Sequence, residues 1–169
     1  EFVQGRVLWD QTLPGLPKAE RSAIYDEMNR VIAALHKVDV NAAGLATYGK
    51  PGNYFDRQIG RWSKQYIASI TEPIEAMDRL MEWLPAHMPA SARDESQVSV
   101  VHGDYRLDNL VFHPTEPRIL AVLDWELSTL GDPLADFAYH CMRWHLAPPQ
   151  GLAGADLAGV DLVVAEVLV

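Results

Sequence analysis

Three stretches in the first half of the chain carry hydrophobic residues at helical spacing. The first follows Pro17 and ends near His36, and its apolar face consists of Ile24, Met28, Val31, Ile32 and Leu35. The second is opened by Pro73 and stopped by Pro85, and its apolar face consists of Ile74, Met77, Leu80, Met81 and Leu84. Between them, a third helix is predicted to carry four residues on one face, Tyr54, Gln58, Trp62 and Tyr66. That face is more polar than an ordinary core face, although we expect Trp62 and Tyr66 to be structural.

The second half changes to short apolar runs, which are typical of strands. They cover three segments, residues 98–101, 110–112 and 119–123. The turn through Pro114 and Pro117 predicts that the second and third runs pair as a hairpin. Asp104 and Asn109 lie five apart in the loop between the first two runs, and Asp124 follows the third. The hairpin is therefore expected to bring these three side chains together.

The residue types at these three positions favour phosphoryl transfer. That reaction needs a carboxylate that orients the attacking hydroxyl, and oxygen ligands for the magnesium ions that bridge the nucleotide phosphates. Asp104, Asn109 and Asp124 supply this set. Further along, Asp132 and Pro133 indicate the start of a helix, because aspartate caps exposed amides and proline suits the first helical position.

Composition places limits on the class of protein. The chain has 169 residues, 49% of them hydrophobic, and five tryptophans, which is ample for one core, and no apolar run approaches the length of a membrane span. Cys141 is the single cysteine, so an internal disulfide is excluded and a reducing, cytoplasmic location is expected. The net charge of -9 argues against nucleic acid as a partner, because binding it needs clustered lysine and arginine.

The acidic residues are locally dense. Between positions 104 and 136 there are seven acids against two arginines, a density expected where divalent cations neutralise a site. An ordinary solvated acidic surface is the alternative. We favour that alternative for Glu116 and leave it open for Asp108.

The chain resembles the aminoglycoside phosphotransferase family of kinase-like small-molecule kinases. Three motifs occur in the family's order, namely His102-Gly103-Asp104 with Asn109, then Asp124, then residues 131–136. Within the family it is most similar to the kinase-like domain joined to some acyl-CoA dehydrogenases, through residues 48–54, 57–58, 62–66 and 124–131, and the likeness covers roughly residues 1–155. Arg106 departs from the antibiotic kinases, which usually have histidine there, and this weakens an antibiotic-resistance interpretation.

The resemblance implies an α+β fold, the mainly helical C-terminal lobe of a protein-kinase-like fold with a small β-hairpin that carries the catalytic and metal loops. Residues 1–6 would be the inter-lobe hinge, 7–150 the lobe and 151–169 a truncated tail. A kinase also needs a glycine-rich loop and a strand lysine. Neither is found, since the four lysines lie in helical or loop context (Lys18, Lys37, Lys50 and Lys64). We therefore expect an N-terminal lobe upstream and no activity from this chain alone.

The resemblance also implies a role for each candidate residue. Asp104 would act on the acceptor hydroxyl, Asn109 and Asp124 would hold Mg²⁺, and the backbone of Glu1, Phe2 and Val3 would meet the adenine of ATP. The acceptor pocket would involve Arg57, Gln58, Arg61, Arg106, Asp108 and Glu126, since planar guanidinium groups suit carboxylates and phosphates. For Arg57 and Arg61, surface ion pairing with Asp56 or Glu72 is the alternative. Structural support would come from His102, Asp132 and Asp136.

Three functions remain open at this point. The first is an ATP- and magnesium-dependent kinase that acts on a small-molecule hydroxyl, where the resemblance implies a hydroxyacyl-CoA or hydroxy acid and an acidic pocket would suit an aminoglycoside. The second is a non-catalytic nucleotide-binding domain. The intact Asp104, Asn109 and Asp124 speak against it for the parent protein, while the absent lysine makes it a fair description of this chain alone. The third is a metal-dependent hydrolase whose ligands would be His102, Asp104 and Asp124, together with His113 or His140. It is the least favoured, because these histidines lack ligand-like spacing.

Overall fold

The computed structural model describes residues 2–50, 52–94, 96, 98–142 and 144–145; Glu1 and the expected tail at 151–169 lie outside them. Within the described part, the helices are α1 (Lys18–His36), α2 (Tyr54–Ser69), α3 (Glu75–Ala86) and α4 (Pro133–Met142). The strands are β1 (Ser99–Val101), β2 (Leu110–Phe112), β3 (Ile119–Val122) and β4 (Thr129–Gly131). Short 3-10 turns cover Ala90–Arg93, Leu107–Asn109 and Trp125–Leu127. The chain therefore has the α+β class that the sequence predicts.

The four strands form two antiparallel pairs. The predicted hairpin is present as β2 and β3, with Leu110 opposite Val122 and an irregular register after Val111. β1 pairs instead with β4, where Val101 lies opposite Thr129. No pattern in the sequence predicted β4. Because β4 returns to β1, the loop after β1 and the turn after β3 are held side by side.

The expected hinge segment lies along the outer edge of the hairpin. Arg6 and Phe112 exchange two backbone hydrogen bonds of 2.9 and 2.8 Å. The Arg6 guanidinium adds a bond from Nε to the carbonyl oxygen of His113 at 3.1 Å. The segment before α1 is thus attached to β2 through a single β-bridge.

The core lies between α1 and the loop that follows β1. Ile24, Met28 and Ile32 of α1 are buried on one face, as the helical spacing predicts. Tyr105 and Leu107 enter the same cluster, and the Tyr105 hydroxyl donates to the carbonyl oxygen of Met28 at 2.9 Å. Burial of each such side chain contributes roughly 1.5–3 kcal/mol. α1 therefore holds the loop after β1 in place through Tyr105 and Leu107.

α2 and α3 correct one prediction. Trp62 was expected to be a structural core residue, but 48% of its side chain is exposed. Tyr66 is half-buried, and its hydroxyl accepts a hydrogen bond from the Ile74 amide at 3.3 Å. The physical reason is that α2 and α3 pack mainly on each other, so neither has a buried residue in the described part of the chain.

The end of α3 corrects a second prediction. Pro85 was expected to stop this helix, yet it lies inside the last turn and the helix ends at Ala86. Proline removes one donor and crowds the preceding turn, and so close to the end of a helix only the final turn is affected. The amide of His87 closes that turn with a hydrogen bond of 3.0 Å to the carbonyl oxygen of Trp83.

Candidate active site

The loop at residues 102–109, called the Asp104 loop below, alternates buried and open side chains. Tyr105 and Leu107 are buried in the core. Asp104, Arg106 and Asp108 lie between them and are only half-buried. The alternation turns three charged side chains away from the core, towards one side of the loop.

Asp104 is held by donors from two elements. Asn109 Nδ2 donates to Asp104 Oδ2 at 3.0 Å and to its backbone oxygen at 2.9 Å. The Tyr139 hydroxyl of α4 donates to Oδ1 at 2.8 Å. Arg106 Nε lies 3.8 Å from Oδ2. The carboxylate is 23% exposed, so it stays accessible to a ligand from one side.

Asn109 and Asp124 are brought together by the main chain. The amide of Leu123, directly before Asp124, donates to the carbonyl oxygen of Asn109 at 2.8 Å. The Asn109 side chain gives its Nδ2 to Asp104, so its Oδ1 remains as the atom for a cation. The predicted set of Asp104, Asn109 and Asp124 is therefore gathered at one place.

Asp124 has an unusual backbone conformation. Its φ of 62° and ψ of 57° lie in the left-handed region. Aspartate tolerates that region better than most residues, and such conformations concentrate at functional sites. Its side chain is exposed and makes no capping hydrogen bond to the turn that it precedes. An exposed carboxylate together with an amide oxygen is a ligand set that suits Mg²⁺, which takes oxygen ligands and retains waters.

His102 is buried, and both of its ring nitrogens are hydrogen-bonded. Nε2 lies 2.7 Å from the carbonyl oxygen of Leu123 and therefore donates to it. Nδ1 accepts the amide of Asp104 at 3.2 Å. One donating and one accepting nitrogen is the pattern of a neutral imidazole. The ring thus links the Asp104 loop to the end of β3.

Asp136 of α4 holds the backbone of the same loop. Its Oδ1 accepts the amide of Gly103 at 2.7 Å, and its Oδ2 accepts the amide of His102 at 2.5 Å. His36, the last residue of α1, approaches Oδ2 with Nε2 at 3.1 Å. The side chain is almost fully buried. Asp132 caps α4 instead, since its Oδ1 accepts the amide of Leu134 at 2.8 Å.

Gly103 is required at its position for two reasons. Its φ is 84°, in a region that L side chains rarely adopt. A Cβ added there would also lie 2.8 Å from the carbonyl oxygen of Leu127. The glycine therefore lets the Asp104 loop approach the turn that carries Asp124.

Arg106 and Asp108 form an ion pair beside Asp104. Arg106 Nη2 donates to Asp108 Oδ2. Burial acts to lower the pKa of Arg106, but the charges of Asp108 and Asp104 outweigh it and raise that pKa. Its Nε–H is buried without a hydrogen-bond partner among the described residues. The pair reduces the negative charge at this side of the loop and leaves one donor unused.

The remaining acceptor candidates are distributed over other elements. Arg57 Nη2 donates to the carbonyl oxygen of Lys50 at 2.7 Å, and the Arg61 guanidinium lies 5.5 Å from the Trp62 ring centroid. Gln58 is half-buried on α2, and Glu126 is exposed in the turn after Asp124. Of the expected adenine contacts, Phe2 is 91% exposed and Val3 is half-buried.

The motif at residues 48–54 supports β4. The hydroxyl of Tyr48 is hydrogen-bonded to Ser128. The ring of Tyr54 covers Gly131 so closely that a Cβ at 131 would lie 2.4 Å from it. Burial raises the pKa of Tyr54 to about 12. The segment thus fixes the strand that leads from the Asp124 turn to α4.

Two contributors to the site were not predicted, Tyr139 and His36. Tyr139 lies three residues after Asp136, so helical spacing places both on the same side of α4. That spacing was available in the sequence. No comparable signal marks His36, because its contact with Asp136 joins residues that are 100 positions apart.

The histidines do not form a metal centre in the described part of the chain, where no group of three His, Cys, Asp or Glu residues could hold a metal ion. His113 Nδ1 accepts the Thr115 amide at 3.3 Å. His140 is packed among aromatic rings, and burial lowers its pKa to about 4. The hydrolase hypothesis therefore has no support from these residues.

Among the described residues there is also no helix with the length and apolar character that a bilayer span requires.

Comparison with solved structures identifies the class of fold. A crystal structure from Ralstonia eutropha, assigned as an aminoglycoside phosphotransferase, is 68% identical and superposes with a TM-score of 0.86, over 95% of this chain and 47% of that one. A macrolide 2'-phosphotransferase from Brachybacterium faecium is 20% identical and superposes with a TM-score of 0.55, over 83% of this chain and 47% of that one. At that identity the second likeness speaks for the fold alone.

Sequence comparison identifies the family. The model described as "Phosphotransferase enzyme family" matches residues 1–163. The chain belongs to this family, which confirms the resemblance seen in its motifs. It is 51% identical to acyl-CoA dehydrogenase family member 10 of Mus musculus over 146 residues, which is 86% of this chain and 13% of that protein. Acyl-CoA dehydrogenase family member 11 of Homo sapiens is 48% identical over 139 residues, which is 82% of this chain and 17% of that protein. The chain thus spans less than a fifth of the length of these relatives.

Proposed function

We propose that this chain carries the catalytic and metal-binding part of an ATP- and magnesium-dependent phosphotransferase that acts on a hydroxyl group of a small molecule. One observation carries the proposal. The side-chain Nδ2 of Asn109 donates to the Asp104 carboxylate at 3.0 Å. The backbone oxygen of Asn109 accepts the amide of Leu123, the residue before Asp124, at 2.8 Å. A base candidate and two oxygen ligands in one cluster are what phosphoryl transfer uses.

In this proposal Asp104 accepts the hydrogen bond of the acceptor hydroxyl and takes its proton. The hydroxyl oxygen then bonds to the γ-phosphorus of ATP, the bond to the oxygen that bridges the β- and γ-phosphates breaks, and ADP leaves. Asn109 Oδ1 and Asp124 would hold Mg²⁺, which neutralises charge on the phosphates. Asp136 and His102 keep the Asp104 loop in position. Positioning of this kind accounts for much of the catalysis in phosphoryl transfer.

The proposal divides the nucleotide site between two parts of the protein. Residues 7–150 would form the C-terminal lobe, and the backbone of Glu1, Phe2 and Val3 in the hinge would meet the adenine. The glycine-rich loop and the strand lysine would come from outside residues 1–169. The solved structure from Ralstonia eutropha supports this division, since the chain covers 47% of that protein.

For the acceptor we propose a hydroxyacyl-CoA or a hydroxy acid. The names of the acyl-CoA dehydrogenase relatives support it. So does Arg106, which pairs with Asp108 and whose side chain is 36% exposed beside Asp104. Guanidinium groups suit the carboxylate or phosphate of such a substrate. Glu126 is exposed and would suit a cationic aminoglycoside instead, which makes aminoglycosides a second arm of the test.

The test uses the full-length protein that contains this chain. Calorimetry should show ATP binding that requires Mg²⁺ and is lost in EDTA. Transfer of radiolabelled γ-phosphate should then be measured to hydroxyacyl-CoAs, hydroxy acids and aminoglycosides, with Asp104→Asn as the control. Magnesium-dependent binding without transfer to any acceptor would favour the non-catalytic alternative. Absence of magnesium-dependent binding would overturn the proposal.

A further inference from the structure

Tyr139 has no role in the function proposed above, yet it makes the shortest side-chain hydrogen bond to Asp104 within the described residues. Its hydroxyl lies 2.8 Å from Asp104 Oδ1, across 35 positions of the chain. Asn109 Nδ2 lies 3.0 Å from the other oxygen. Each oxygen of the carboxylate therefore has one donor, and the two donors come from different elements.

We infer that Tyr139 is a positioning residue that fixes the orientation of the Asp104 carboxylate for the acceptor hydroxyl. The inference rests on the proposed function. A carboxylate bound at one oxygen only can still rotate about its χ2 bond. Donors at both oxygens fix its plane, and the lone pairs that remain are free for the acceptor. A displaced catalytic group lowers the rate strongly, by up to about a hundredfold for 1 Å.

The direction of this hydrogen bond follows from protonation. Burial, and then the hydrogen bond and charge of Asp104, raise the pKa of Tyr139, while Arg106 opposes them with a smaller effect. The phenol therefore keeps its proton at neutral pH. Because an ionised carboxylate can only accept, the hydroxyl is the donor.

α4 controls the Asp104 loop through two residues that lie one turn apart. Asp136 binds the backbone amides of His102 and Gly103, and Tyr139 binds the side chain of Asp104. The helix thus fixes both the path of the loop and the orientation of its carboxylate. A tyrosine that served only packing would not need its hydroxyl in this place.

A matched control lies on the same small cavity, which Tyr25 and Tyr139 both line. The Tyr25 hydroxyl is also hydrogen-bonded, but it donates to the carbonyl oxygen of Gln11 at 2.6 Å. Tyr25→Phe and Tyr139→Phe therefore each remove one hydroxyl next to the cavity. Only the second removes a donor to Asp104.

The kinetic test measures MgATP hydrolysis by the full-length protein, with water as the acceptor. Tyr139→Phe should lower kcat about tenfold, as loss of one bond to a charged group predicts, and leave the KM for ATP within about twofold. Tyr25→Phe should leave kcat unchanged. In an Asp104→Asn background, Tyr139→Phe should have no further effect on kcat. An equal loss of kcat in both backgrounds, or an effect on KM alone, would overturn the inference.

A second measurement does not depend on turnover. In protein labelled with ¹³C at tyrosine Cζ, the Tyr139 signal, assigned from Tyr139→Phe, should move in Asp104→Asn while the Tyr25 signal stays in place. A Tyr139 signal that ignores Asp104→Asn would also overturn the inference. A wild-type protein that transfers phosphate neither to water nor to any of the acceptors named above, but shows the expected signal change, contradicts the proposed function, and the catalytic role of Tyr139 fails with it. If the wild type is active but Tyr139→Phe lowers kcat equally with and without Asp104→Asn, the inference alone is contradicted.

Discussion

Leu123 and Asn109 are joined by a backbone hydrogen bond, with the Leu123 amide 2.8 Å from the Asn109 carbonyl oxygen. The carbonyl oxygen of the same Leu123 accepts the imidazole of His102 at 2.7 Å. One residue is thus bound to both ends of the Asp104 loop, directly before Asp124. Because the Leu123 side chain takes no part in these bonds, the location of Asp124 depends on the path of the strand.

This arrangement predicts that Asp124→Ala abolishes magnesium-dependent ATP binding and leaves the fold intact. The carboxylate is exposed, so its removal leaves no buried group without a partner, and the left-handed backbone costs the alanine roughly 1–2 kcal/mol. The same carboxylate would carry much of the metal's coordination. Calorimetry with and without Mg²⁺ measures the effect in the full-length protein. Glu116→Ala, at an exposed acid in the hairpin turn, is the matched control and should bind normally. Unchanged magnesium-dependent affinity in Asp124→Ala would contradict the assignment.

Asp104→Asn should separate binding from chemistry. The amide keeps the size of the side chain but is far less basic, so we expect nucleotide affinity to persist and turnover to fall roughly a hundredfold or more. Calorimetry and a phosphoryl-transfer assay on the same preparation give the two values. If turnover survived this substitution, Asp104 would not be the group that acts on the hydroxyl.

Local signals in the sequence predicted part of the fold. The apolar positions of α1 recur every three or four residues, and Pro114 and Pro117 mark the turn between β2 and β3. β4 has only three residues, and its partner β1 ends 28 positions earlier, so no local pattern identifies it. The exposure of Trp62 was mispredicted for a related reason, since the spacing defines a helical face but not what covers it.

The candidate site also has a part that local signals in the sequence predict and a part that they do not. Asp104, Asn109 and Asp124 were predicted because their residue types and spacing match a known chemistry, and their roles stay predictions. Their exact supports depend on contacts between distant segments, such as Tyr139 with Asp104 and His36 with Asp136. Those contacts exist only after α1 and α4 have packed against the Asp104 loop.

Gly103→Ala should lower turnover while the hydrophobic core stays folded. The substitution places a Cβ 2.8 Å from the carbonyl oxygen of Leu127, at a φ of 84°. Left-handed backbone costs an alanine roughly 1–2 kcal/mol, and relief of the clash moves the loop away from the Asp124 turn. We expect turnover to fall at least about tenfold with a modest loss of stability. Gly15→Ala, at a φ of 81° with no atom within 4 Å, is the control for strain without a clash.

Asp136→Ala should destabilise the protein by about 3 kcal/mol, because it leaves the buried amide of His102 without a partner and also removes the acceptor of the Gly103 amide. Urea unfolding measures the loss. Asp26→Ala, at an exposed acid of α1, should change stability by less than about 0.5 kcal/mol. Equal stabilities of the two variants would show that the amides find other partners.

His140 predicts how stability depends on pH. Its side chain is 7% exposed, and burial lowers its pKa from 6.5 to about 4. Between these two values the unfolded chain binds more protons than the folded protein, so stability falls as the pH drops through this window and is unaffected above it. From pH 7 to pH 5 the loss from this residue is about 2 kcal/mol. His140→Phe keeps a ring among Tyr25, Tyr105 and Trp144 but cannot be protonated. Urea unfolding at both pH values should therefore give a smaller decrease for the variant than for the wild type, and equal decreases would show that His140 is not the group that titrates.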